Sequence, residues 1–87
     1  LNTYEDFNLT IYPNPAESTT RIGLDVKQEH VVIELYNVLS QKEQVIYDGF
    51  VSDSFETMFD VSNMEAGVYV ITAKTTSQIL VNKIVIQ

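Results

Sequence analysis

An all-β fold, an immunoglobulin-like antiparallel β-sandwich of about seven strands, is predicted by three features of the 87-residue sequence. Apolar residues recur with a period of two rather than 3.6. The alternating runs are rich in Val, Ile, Thr, Tyr and Phe, which suit a pleated surface. Turn-forming residues separate the runs at the 8–12-residue spacing of small sandwiches and barrels.

The runs follow in order. Phe7, Leu9 and Ile11 alternate with Asn8, Thr10 and Tyr12. Pro13-Asn14-Pro15 stops that strand, because neither proline can donate to a ladder. Ile22, Leu24 and Val26 form the second apolar face, and Lys27 to Glu29 is a polar connection. Val31, Ile33 and Leu35 form the third, ended by Val38-Leu39-Ser40-Gln41. Val45-Ile46-Tyr47 is a shorter run. Asp48-Gly49 suits a tight turn after it, although Phe50-Val51 would equally continue the strand beyond a bulge. Phe55, Thr57, Phe59 and Val61 make the fifth face, and Ser62 to Gly67 is a loop holding at most one short turn. Val68, Val70, Thr72 and Lys74 share one face of the sixth strand, with Tyr69, Ile71 and Ala73 on the other. Thr75 to Gln78 closes a terminal hairpin, and Ile79 to Ile86, interrupted by Asn82 and Lys83, is the seventh strand.

A chain of this length makes one domain, read as residues 7–87 after a linker remnant at residues 1–6. It begins at Leu1 without a basic or apolar leader, so it is expected to be a piece of a larger protein. No apolar run is long enough for a membrane-spanning helix, and no stable membrane insertion is expected. The net charge of −7 disfavours nucleic acid and anionic membrane alike. That charge is unevenly placed. Residues 1–65 hold all twelve acids and three cations, whereas residues 66–87 hold two lysines and no acid. The tail is either a plain strand-rich segment or one presented to a receptor.

Little points to catalysis, metal or cofactor. There is no cysteine, and the single histidine, His30, opens a strand without spaced carboxylates, which suits a surface residue better than a ligand. No G-x-S-x-G elbow presents a serine, and three glycines make no phosphate-cradling loop. Asp48, Asp53, Glu56 and Asp60 lack the compact alternation of a calcium loop. Tyr4, Tyr12, Tyr36, Tyr47 and Tyr69 are candidates for a carbohydrate-stacking platform, but alternate strand positions suit ordinary core or sheet-surface tyrosines better. From pattern alone the chain is a β-sandwich module.

Three ordered segments go further. Ile11-Tyr12-Pro13-Asn14-Pro15-Ala16 opens the domain, Val31 to Leu39 forms its centre, and Met64-Glu65-Ala66-Gly67-Val68-Tyr69-Val70 leads on to Lys83-Ile84-Val85-Ile86-Gln87. Together they resemble the type A C-terminal sorting domains of the type IX secretion system of Bacteroidetes, over about residues 9–87. The resemblance implies a non-catalytic, cofactor-free address. Its cargo would reach the periplasm, be exported by the outer-membrane translocon, and reach the cell surface or the medium. It also implies removal of the domain by a sortase-like peptidase, with residues 1–6 as the candidate cleavage region. The cargo would then be joined to anionic lipopolysaccharide or released.

Recognition is expected in residues 67–87, with Gly67, Tyr69, Lys83, Ile84, Val85 and Ile86 as candidates and Tyr12, Pro13, Asn14 and Pro15 as the family-motif turn. The proline turn and Gly67 also have purely structural readings, and Lys83 suits either recognition or protection of an edge strand. Weak self-association through residues 79–87 is a further expectation. Where the family has glycine followed by a cation after the central strand, this chain has Ser40-Gln41; a positive φ there would cost serine about 1 kcal/mol. Thr76-Ser77 likewise replaces a usual glycine in the last hairpin. The competing expectation is an accessory β-sandwich of a secreted enzyme or adhesin, serving as spacer or carbohydrate contact.

Overall fold

The computed structural model describes residues 8–87. Phe7 and the linker expected at residues 1–6 lie outside the described residues. Seven strands form, in order β1 (Leu9–Tyr12), β2 (Thr19–Asp25), β3 (Glu29–Tyr36), β4 (Lys42–Val51), β5 (Ser54–Asp60), β6 (Gly67–Lys74) and β7 (Ile79–Ile86). They make two antiparallel sheets, one ordered β1-β2-β5 and the other β4-β3-β6-β7. The all-β sandwich predicted from alternation is therefore the observed architecture.

The alternation sorts side chains as expected. Leu9, Ile22, Leu24 and Phe59 line the inner face of the three-stranded sheet, and Val31, Ile33, Leu35, Ile71, Ala73, Leu80 and Ile84 line that of the four-stranded sheet. Each strand puts its apolar set inward because successive side chains point to opposite faces. The buried Thr20 hydroxyl donates to the Pro13 carbonyl at 2.8 Å and so carries no unpaired group into the core, whereas the Thr72 hydroxyl, on the outer face of β6, is covered without a partner.

The fourth strand departs from the sequence reading. Asp48-Gly49 is not a turn; it lies within a ten-residue β4, paired opposite Val32 and Val31. The alternative reading, continuation of the strand through Phe50-Val51, is the one realised, but the bulge lies before Asp48-Gly49 rather than at it. Register passes from Ile33↔Tyr47 to Glu34↔Val45, leaving Ile46 without a counterpart. Gly49 serves a side chain rather than a turn. A Cβ there would stand 2.8 Å from the Tyr47 hydroxyl, which donates to the Phe50 carbonyl at 3.1 Å. The chain reverses instead at Ser52-Asp53, where it crosses from one sheet to the other.

The turn after β3 is held by Asn37. Its Oδ1 accepts from the backbone N–H of Leu39 and of Gln41 at 2.9 and 3.0 Å, and its Nδ2 donates to Gln41 Oε1 and Glu43 Oε2. Ser40 completes it at φ 63°, the left-handed conformation that glycine adopts without strain. Serine is accommodated because Asn37 fixes the turn from outside.

Candidate functional site

The motif turn and the terminal strand, 67 residues apart in sequence between Pro15 and Asn82, meet in one structural unit. Pro13 and Pro15 leave Asn14 as the one residue of their tripeptide with a backbone donor and an amide side chain. That side chain acts as a strand would. Asn14 Nδ2 donates to the Lys83 carbonyl at 2.8 Å, and its Oδ1 accepts from the Val85 N–H at 2.9 Å. Two residues on, the Ala16 N–H donates to the Val85 carbonyl at 2.8 Å, and the Gln87 N–H donates to the Ala16 carbonyl at 2.9 Å. This is a short parallel bridge between Ala16 and Ile86. Ala16 is fully buried, so a larger side chain would not fit this approach.

Asn82 works from the other direction. Its Nδ2 donates to the Leu9 carbonyl on β1 at 2.7 Å, tying the two sheets together, and its Oδ1 accepts from the Lys83 N–H at 2.8 Å. The outward backbone groups of Lys83 and Val85, and the Gln87 N–H, are thus all bonded. The expectation of self-association through residues 79–87 finds no free backbone groups over 83–85, because the motif turn already occupies that edge.

The candidate residues divide accordingly. Ile84 and Ile86 are 0 % and 2 % exposed and belong to the core, so a partner of the folded domain does not reach them. Tyr69 leans on the core and donates its hydroxyl to the Glu65 carbonyl at 2.9 Å. Gly67 has φ 151° with open space around it, so conformation rather than crowding calls for glycine. Tyr12, Pro13, Asn14 and Pro15 are exposed. Lys83 is exposed and Val85 half-buried, both on the outer face of β7 opposite Val70 and Val68. The tyrosines make no common platform. Tyr12 and Tyr36 lie on the outer faces of different sheets, Tyr47 and Tyr69 pack against the core, and Tyr4 lies outside the described residues. His30 is a surface strand residue with Nε2 2.6 Å from Asp48 Oδ1 on β4.

Sequence pattern did not single out Glu34. It sits at an outward position of β3, yet its side chain is only 7 % exposed because Lys42 and Lys74 cover it at 3.0 and 3.2 Å and Tyr36 donates to it at 2.9 Å. The Lys42 hydrogen bond, helped by Tyr36 and Lys74 against the cost of burial, holds the Glu34 carboxyl down to about 2. A carboxyl depressed in the folded state contributes its full stabilisation above its unfolded value of 4.5 and loses it as pH falls through about 2. Glu34→Gln is expected to cost about 1–2 kcal/mol at pH 7, the modest end for charged hydrogen bonds because both ammonium groups stay half-exposed. Denaturant titrations of both proteins between pH 7 and pH 2 should show that gap closing. A gap that stayed constant would remove the ion pairs as its cause.

A small sandwich whose seventh strand is fastened by a proline turn after its first is a β-module with a single closed core. The chain belongs to the secretion system C-terminal sorting domain family, whose description matches residues 10–87. It is a C-terminal sorting signal of type IX secretion, a domain not itself catalytic, and it marks its protein for the cell surface or for secretion. A comparison with curated proteins gave no match.

Proposed function

We propose that the domain is read as a folded address. In this reading the outer-membrane translocon recognises it in the periplasm, chiefly through the β6–β7 hairpin, and a sortase-like peptidase then removes it near residues 1–6. The domain itself performs no reaction and needs no cofactor. The observation that favours this reading is the fastening of β7 by Asn14 and Ala16. It gives the last strand one fixed presentation, with Lys83 and Val85 outward and Ile84 and Ile86 inward. Of the six hairpin candidates, Lys83 and Val85 are therefore the proposed contacts, and Gly67, Tyr69, Ile84 and Ile86 hold them in place.

The test is to fuse residues 1–87 to a reporter that carries its own signal peptide, in a host with the type IX system. Surface or medium location is expected, with the exported reporter shortened by the domain. Retention of a folded fusion in the periplasm would end this reading and leave the accessory-spacer one.

A further inference from the structure

The two outer faces of the sandwich differ in character. The three-stranded sheet presents Thr10, Arg21, Asp25, Glu56 and Asp60 around the exposed Tyr12 and Met58, a mostly polar and acidic surface with Arg21 paired to Glu56 at 3.6 Å. The four-stranded sheet presents β-branched residues and lysines. Val68 pairs with Val85, Val70 with Lys83 and Thr72 with Val81 across the last hairpin. Lys42, Lys74 and Lys83 are three of the five cations in the whole sequence, and all three lie on this face. Its carboxylates are already engaged, Glu34 with two of those lysines and Asp48 with His30.

The turn after β3 adds to this surface. It follows Tyr36, whose partner on β6 is Val70, so it stands at the same end of the sheet as Val68 and Val85. Val38 and Leu39 at its tip are 70 % and 73 % exposed. Turns usually carry Asn, Asp, Gly or Ser, for reasons of backbone geometry. Here Asn37 and Ser40 meet those needs, and neither Val38 nor Leu39 packs against the core. The Asn37 bonds hold these two side chains in a set position, so a partner meets them without ordering the loop first.

We propose that Val38 and Leu39, with Val68, Val85 and Lys83, form a docking surface for a protein partner. That partner would offer an apolar recess bordered by carboxylates. The inference rests on the sorting reading and extends its contact beyond the terminal hairpin to a turn more than 25 residues earlier in the chain. Charge chooses the occupant. A second copy would set lysines against lysines, and an anionic lipid surface would face a protein of net charge −7. A carboxylate-rimmed protein meets this face with complementary charge while the acidic remainder of the domain is held away.

The reporter fusion carrying residues 1–87 tests it. Val38→Ser with Leu39→Ser alters only exposed side chains, so the thermal midpoint should match the parent, while export falls about tenfold or more, as for loss of an apolar anchor at an interface. Lys83→Glu should also lower export and Lys83→Arg should preserve it. Met58→Ser, on the outer face of the other sheet, should leave export unchanged. Parent-level export of both the double variant and Lys83→Glu would overturn the docking surface alone. Retention of the intact fusion would overturn the sorting reading and this inference with it. Binding of the purified domain to phosphatidylglycerol vesicles, or a dimer in sedimentation, either one abolished by Val38→Ser with Leu39→Ser, would overturn it in favour of a lipid or self-contact.

Discussion

Deleting Ile84–Gln87 is expected to unfold the domain, not merely to hide a signal. Ile84 and Ile86 are the last core residues of β7, at 0 % and 2 % exposure, and they pack beneath both sheets. Truncating one buried isoleucine to alanine costs about 2–5 kcal/mol, and the deletion removes two side chains entirely. It also strips Ala16 of both backbone partners and Asn14 of the Val85 N–H. An 87-residue domain has roughly 4–13 kcal/mol in total, so the loss is of the same size as the whole margin. Circular dichroism with urea should show no cooperative transition in the deleted protein. A transition with an unchanged midpoint would mean that the terminal strand is dispensable to the core. The consequence for secretion experiments is direct: a shortened tail that fails to export reports a lost fold, and recognition has to be separated from folding by changes at outward positions such as Lys83, Val38 and Leu39.

Much of this architecture is legible in the sequence because one physical rule dominates it. Alternation in Leu9–Ile11, Ile22–Leu24, Val31–Leu35 and Ile71–Ala73 marks both the strands and their inner faces, and the observed burial follows it except at Glu34, an outward residue that its neighbours cover. Local conformation is legible where a backbone demand is specific, as at Gly67 and at Ser40, which occupies the position where the family's pattern has glycine. The rule fails where a residue answers to a distant one. Asp48-Gly49 looks like a hairpin turn, yet the glycine makes room for the Tyr47 ring two positions back on the same face.

The site is less legible than the fold for the same reason. A run such as Lys83-Ile84-Val85-Ile86 reads as one motif, but the pleat divides it, sending Ile84 and Ile86 inward and Lys83 and Val85 outward. Glu34 reads as an ordinary solvated strand residue until the register brings Lys42 and Lys74 over it from both neighbouring strands. Nor does a proline turn announce that its central amide will bond a strand so far along the chain. Alternation specifies which face a residue occupies, while register decides what it meets there.

Asn14 offers the sharpest test of that long-range bond. Asn14→Ala removes both hydrogen bonds to β7 and leaves the Lys83 carbonyl and Val85 N–H to water at a partly covered edge. Because that edge is exposed, the loss should be about 1–2 kcal/mol rather than the full cost of a buried orphan. For a domain of this size, that lowers the thermal midpoint by roughly 5–15 °C. Asn14→Asp separates the two bonds. Its carboxylate still accepts from Val85 N–H but has no donor for the Lys83 carbonyl and sets two oxygens against each other, so it should rescue little at pH 7. Hydrogen exchange locates the effect. The Val85 amide should lose protection in Asn14→Ala, whereas amides at even-numbered β7 positions, which point toward β6, should keep theirs. Uniform loss of protection along β7 would mean that Asn14 supports the whole strand rather than its outer edge. An unchanged midpoint would mean that the amide bonds add nothing beyond what water supplies, and that the motif turn is retained for its contour alone.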